Sequence, residues 1–147
     1  MKILIPVDGS DFSAQALKKA IELARNQPAD LYVISVAASI GGMEDHEISP
    51  LRRARHTEAV EKIAQGAIDK ANTILSEAHF PCKSSKTIET SISVPDAIID
   101  FAETENIDLI VMGSRGLSLS TRIKMGSTAS QVVKYCHCSV YLVKTPV

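Results

Sequence analysis

Three glycines, Gly113, Gly116 and Gly126, and the hydroxyls of Ser127 and Thr128 just after the last of them form the most chemically pointed stretch of this 147-residue chain. Glycine lets successive backbone N–H groups turn into one concavity with no Cβ in the way, and a helix start adds N–H groups that carry a partial positive charge. Such a constellation suits phosphate. Ser127 and Thr128 add hydroxyl donors, while Arg115, Arg122 and Lys124 bring positive charge for a polyphosphate. The second candidate is Asp8-Gly9-Ser10 near the start of the chain. There Asp8 reads either as a turn or capping residue, or as a carboxylate for ribose hydroxyls or for a Mg2+ held by phosphate oxygens.

These segments need a scaffold, and the hydrophobic pattern supplies one. Lys2 to Val7 is a short apolar run of the kind found in strands buried on both faces, and it ends at the Asp8-Gly9-Ser10 turn. Helical spacing follows over Ser13 to Asn26, with Ser10, Asp11 or Ser13 as cap, and a second strand over Leu31 to Ala38. Ile40 to Leu51, with Gly41, Gly42 and Pro50, reads as a loop, and Thr57 to His79 as the longest helix. Lys83 to Ser93 is a polar, edge-like strand, and Pro95 to Asn106 a helix. Leu109 to Met112 is a fourth strand, Gly126 to Tyr135 a fourth helix and Val140 to Val143 a fifth strand. Residues 1–147 therefore read as one doubly wound α/β domain, a five-stranded parallel sheet with helices on both faces. In such sheets ligands sit beyond the carboxyl ends of the strands, where strand order reverses, and both candidate segments follow strand ends.

The spacing Gly-x2-Gly-x9-Gly-Ser resembles the nucleotide loop of the universal stress protein family, in its ATP-binding branch. The likeness runs along nearly the whole chain: KILIPVDGSDFS is similar to the family's opening strand and turn, DLYVISVA to its second strand, IDLIVMGSRG to its fourth, and GSTASQVVKYCHCSVYLV to its closing helix and strand. Two positions depart from the family pattern, Ser93-Val94-Pro95 in place of a glycine before the third helix and Ser139 in place of a proline before the last strand. The resemblance implies strand order 3-2-1-4-5 and ATP as ligand. It further implies that Pro6, Val7, Asp8 and Val36 approach the adenosine, while Met112, Gly113, Ser114, Arg115, Gly116, Gly126, Ser127, Thr128 and Ala129 wrap ribose and phosphates. A homodimer through the C-terminal strand is also implied, and Val140 to Val143 suits it as an apolar edge that would otherwise stay open.

Three function classes remain open: a nucleotide-dependent regulatory or stress-response module with slow or no hydrolysis, an ATPase or nucleotidyl-transfer enzyme using the same site, and a phospho-receiver built around Asp8. Near the glycine loop the sequence offers Ser, Thr, Arg and Lys, with Asp8 as the one nearby carboxylate, which favours the first. A net charge of −1 argues against a nucleic-acid partner, and no apolar run is long enough for a membrane span. Cys82, Cys136 and Cys138 suggest no disulfide framework, so a cytoplasmic location is expected. Glu44, Asp45, His46 and Glu47 read as solvated loop, Arg52, Arg53, Arg55 and His56 as a solvated helix start, and Cys136 and Cys138 as packing residues.

Overall fold

A computed structural model describes residues 1–39, 49–117 and 125–145. Five strands, β1 (Lys2–Pro6), β2 (Asp30–Ala38), β3 (Ser84–Thr90), β4 (Leu109–Gly113) and β5 (Ser139–Val143), form one parallel sheet in the order β3-β2-β1-β4-β5. Strand β1 lies at its centre, which is why Ile3, Leu4 and Ile5 are wholly buried and the run carries no polar alternation. The expected fold class and strand order are those observed.

Helices α1 (Asp11–Arg25) and α2 (Pro50–Glu77) cover one face, and α3 (Val94–Thr104) and α4 (Ser127–Tyr135) the other. One apolar cluster unites Ile3, Ile5, Leu17, Ala20 and Val33 with Ala67, Ile68 and Ala71 of α2. A second, on the opposite face, joins Leu4, Ile34, Ile98, Ile110, Met112 and Val132. A side chain such as Leu17, with no exposed surface, contributes about 1.5–3 kcal/mol by leaving water.

The helix boundaries follow from capping chemistry. Ser10, Ser49 and Ser93 sit in extended backbone at the N-caps of α1, α2 and α3, and each hydroxyl accepts from a first-turn N–H. Helix α2 begins at Pro50, seven residues before the start expected from periodicity. Pro50 opens the helix, since a proline at its first position gives up an N–H that would have no partner anyway. The basic cluster Arg52, Arg53, Arg55 and His56 therefore lies within the first two turns of α2. At the other ends, α2 and α3 leave through left-handed residues His79 (φ 51°) and Asn106 (φ 55°), with Phe80 N–H bonded to the Leu75 carbonyl and Ile107 N–H to that of Ala102. Each closure turns the chain into the next strand. Strand β3 stops at Thr90, three residues short of the expected Ser93, because Ser93 is taken up as the cap of α3. Among the described residues no helix is long and apolar enough to cross a membrane.

Candidate functional site

Beyond the carboxyl ends of β1, β2 and β4 the structure holds a cavity of about 340 Å³, within the size range of small-molecule sites. The thirteen residues that the resemblance assigned to the nucleotide all line it: Pro6, Val7 and Asp8 at the end of β1, Val36 on β2, Met112 to Gly116 at the end of β4, and Gly126 to Ala129 at the start of α4. Arg122 and Lys124, and Glu44 to Glu47, lie outside the described residues.

The wall has two characters. Val36, Val94, Ile98, Met112 and the aliphatic side of α2 at Ile63 and Ala64 make one part apolar, whereas the glycine loop and the start of α4 make the other polar. Ile63, Ala64, Ser13, Ser35, Val94, Ile98 and Leu117 were not among the sequence candidates. The packing of α2 and α3 onto the sheet brings Ile63, Ala64, Val94 and Ile98 there, while Ser13 comes from α1, Ser35 from β2 and Leu117 from the loop after β4. Val94 belongs to the Ser93-Val94-Pro95 departure from the family pattern, so that departure reaches the apolar wall.

At the polar end, Asp8 is held in a tight turn. Its Oδ1 accepts from the Ser10 N–H (2.9 Å), and its own N–H donates to Ser13 Oγ (3.3 Å), which donates in turn to the Ser10 carbonyl (3.0 Å). Gly9 makes the turn with φ 84°, a conformation that side chains strain to adopt. The other carboxylate oxygen faces the glycine loop: a Cβ on Gly116 would lie 2.7 Å from Asp8 Oδ2. Asp8 and Gly116 therefore share one space, a coupling invisible in a sequence that separates them by more than a hundred residues.

The three glycines differ. At Gly113 a Cβ would meet the Phe12 carbonyl carbon and Cβ at 3.0 Å, so glycine is required there for α1 to pack against the end of β4. At Gly126 the backbone is ordinary (φ −69°, ψ 160°) and a Cβ would find only normal contacts, the nearest at 3.5 Å to the Ser114 carbonyl. The Gly126 N–H donates to that carbonyl at 2.6 Å, and the Ser114 N–H donates to the Val143 carbonyl at 3.1 Å. These two bonds tie the loop after β4 both to α4 and to the end of β5. Gly126 is the N-cap of α4 and offers no side-chain cap, unlike the serines that open the other three helices. The Arg115 guanidinium lies over the Phe12 ring, 5.1 Å from its centroid.

A model of the universal stress protein family matches residues 1–144. The chain belongs to the universal stress protein family. Among curated relatives, universal stress protein MJ0531 of Methanocaldococcus jannaschii is 36% identical over 155 residues, covering 99% of this chain and 82% of the relative. Universal stress protein YxiE of Bacillus subtilis is 31% identical, covering 97% of this chain and 98% of the relative. Among solved structures, UspA from Lactobacillus plantarum superposes with a TM-score of 0.82 at 27% identity, covering 98% of this chain and 97% of that one. Members whose likeness is one of fold alone include complexes with cAMP, with dAMP (from Archaeoglobus fulgidus) and with AMP (from Arabidopsis thaliana), at 21%, 24% and 18% identity.

Proposed function

We propose that the cavity is an ATP site and that the chain works as a nucleotide-dependent regulatory or stress-response module, with slow hydrolysis or none. The observation that carries this is the start of α4. Its cap and first turn, Gly126 to Ala129, line the cavity, and the glycine in the cap position offers no capping side chain and has neither a special backbone angle nor a crowded Cβ to explain it. A phosphate group satisfies such donors and fills the space that the missing side chain leaves. The nucleotides bound by cAMP-, dAMP- and AMP-complexed members of the family support the same reading.

The apolar part of the wall suits a base, and the sheet register suits adenine. The Ile34 carbonyl accepts from the Val7 N–H (2.8 Å), so the backbone of Ile34 faces β1. Successive residues of a strand face alternate sides, hence the N–H and carbonyl of Val36 point the same way, past the last ladder pair Pro6↔Ile34 and toward the cavity. An adjacent donor and acceptor complement the N1 acceptor and N6 amino group of adenine. Guanine presents the reverse polarity and would leave both backbone groups unpaired.

Among the described lining residues Asp8 is the one carboxylate, and Oδ1 is committed to the Ser10 N–H. That leaves Oδ2, facing the glycine loop, as a ligand for Mg2+ carried by the phosphates. One carboxylate plus phosphate oxygens is the donor set this ion ordinarily takes, so the residues fit it. Among the described lining residues no second acidic group is at hand to position an attacking water, which supports holding ATP over splitting it.

The edge strand β5 supports a homodimer. Among the described residues it pairs only with β4, Tyr141 is 42% exposed, and Val140 and Leu142 are half-buried. Two such edges can pair antiparallel about a two-fold axis. Leu142→Pro removes one edge donor and should shift the dimer toward monomer in sedimentation, whereas a wild-type monomer at micromolar concentration would remove the dimer from the reading. Three unpaired thiols, Cys82, Cys136 and Cys138, accord with action in the cytoplasm.

Thermal unfolding with added nucleotide tests the proposal. ATP at about 100 times its dissociation constant should add roughly 2.7 kcal/mol, a rise of several degrees, and GTP should add far less. No response to any adenine nucleotide would overturn it.

A further inference from the structure

The turn between α4 and β5 carries Cys136, His137 and Cys138. Thiols two residues apart share a face only where the chain is extended. Cys136, the C-cap of α4, has left helical geometry for φ −74°, ψ 156°, which is extended backbone, and the chain then bends before β5. Both side chains consequently turn inward onto the same apolar cluster beside Val132 and Val140, while His137 points to solvent. The Cys136 thiol donates to the Cys138 carbonyl at 3.2 Å, so the Cys136 sulfur lies against the backbone of Cys138 itself. Cys82 packs into the other core cluster, across the sheet, with its own acceptors at Leu31 and Ser84. Packing alone calls for an apolar side chain at each position, but not for thiols at both with one bonded to the backbone of the other.

We propose that Cys136 and Cys138 form a redox-active dithiol, a modification site that low-molecular-weight disulfides of the glutathione class close to an intramolecular disulfide and that thiols reopen. Both residues are only half-buried, so a small disulfide can reach them. Burial, reinforced by the neighbouring Cys136 thiol, pushes the Cys138 thiol up to about 11, so Cys138 keeps its proton and the opening attack falls to Cys136. The Cys136 thiolate attacks one sulfur of the small disulfide and expels the first small thiolate. Cys138 then gives up its proton and attacks the Cys136 sulfur of the mixed disulfide, expelling the second. Two protein S–H bonds and one small S–S bond become one protein S–S bond and two small thiols, the released thiolates taking up the two protons. Proximity offsets the low thiolate fraction of Cys138, since the second step is intramolecular.

The site lies at a junction of the fold. Helix α4 runs from the cavity wall at Gly126 to Cys136, and β5 begins one residue after Cys138.

Intact-mass spectrometry of the full chain carrying Cys82→Ser, treated with glutathione disulfide and then with a reductant, tests the proposal. The expected product is the monomer lighter by two hydrogens, with a proteolytic fragment holding both cysteines in one closed loop, and reduction restores the starting mass. In Cys138→Ser the reaction should stop at one stable glutathione adduct on Cys136, because nothing remains to resolve it. Stable adducts on both cysteines of the Cys82→Ser chain, a disulfide-linked dimer, or an unchanged mass would each overturn it.

Discussion

Helices α3 and α4 pack together on one face of the sheet and each begins just beyond a strand or loop, yet their first turns are finished in opposite ways. At α3 the Ser93 hydroxyl accepts from the Asp96 N–H (3.2 Å) and donates to Asp96 Oδ2 (2.7 Å), so cap and first-turn acid satisfy each other. At α4 the cap position holds Gly126, which has no side chain to offer the first-turn donors. A serine cap is worth about 1 kcal/mol over alanine, and glycine loses only a few tenths because water or another solute can take its place. The chain uses a serine at three helix starts and leaves bare the one whose cap and first three residues, Gly126 to Ala129, all line the cavity. On the proposed reading, the protein supplies its own acceptor where folding alone shapes a helix start and keeps the position clear where a ligand is to supply it.

Making the two ends alike should have the largest effect. Gly126→Asp gives α4 a capping carboxylate in a backbone conformation that any residue adopts, so the fold should gain a few tenths of a kcal/mol. The same carboxylate would occupy the phosphate position and repel it. ATP affinity should fall on the order of a hundredfold, about 2.7 kcal/mol by calorimetry. An unchanged affinity in a folded variant would break the comparison, for the bare end would then serve no anion.

A second substitution separates the glycines by purpose. Gly113→Ala forces a Cβ against the Phe12 backbone and should lower stability by about 1–3 kcal/mol, whether or not nucleotide is present. Gly126→Ala meets only ordinary contacts and should leave the unliganded fold nearly unchanged while weakening ATP. Denaturant titrations of the two variants without nucleotide check this, and equal losses in both would mean that Gly126 is also a packing glycine.

Sequence patterning carried the strands and the cavity's two main segments because both depend on local signals, continuous apolar runs at Ile3 to Ile5 and Leu109 to Met112 and glycines directly after strand ends, whereas the strand order came from the family resemblance. It failed at Pro50, where one residue type serves equally as loop former and as the first residue of a helix. The start of α2 also projects past the core, as Leu51 at 61% exposure shows, so no apolar periodicity marked it. Nor could it find Ile63 and Ala64 or the Asp8–Gly116 contact. Those depend on where α2 lies across the sheet and on the approach of two loops distant in sequence. Cys136 and Cys138 pack as the sequence suggested, but their shared face was not legible: side-chain alternation requires extended backbone, and only the observed ψ of Cys136 supplies it.

The smallest expected effect comes from stripping the capped end. Ser93→Ala removes the acceptor for the Asp96 N–H and the hydroxyl donor to its carboxylate, and it leaves the backbone of α3 otherwise able to form. Asp96 stays in the first turn, where its charge still favours the helix dipole, so the loss is confined to the cap, about 1 kcal/mol. For a chain of this size that lowers the melting temperature by roughly 2–4 °C. The bare α3 start should gain no affinity for phosphate, because Ser93 itself is not part of the cavity wall, although its neighbour Val94 is. ATP affinity should therefore stay within about twofold of the parent, since contact through Val94 is apolar and the substitution does not touch it. Calorimetry and thermal unfolding on the same preparation read the two quantities independently. If Ser93→Ala weakened ATP as much as Gly126→Asp does, the division between a helix start closed for folding and one left open for a ligand would not hold, and both ends would have to be treated as parts of a single nucleotide-binding surface.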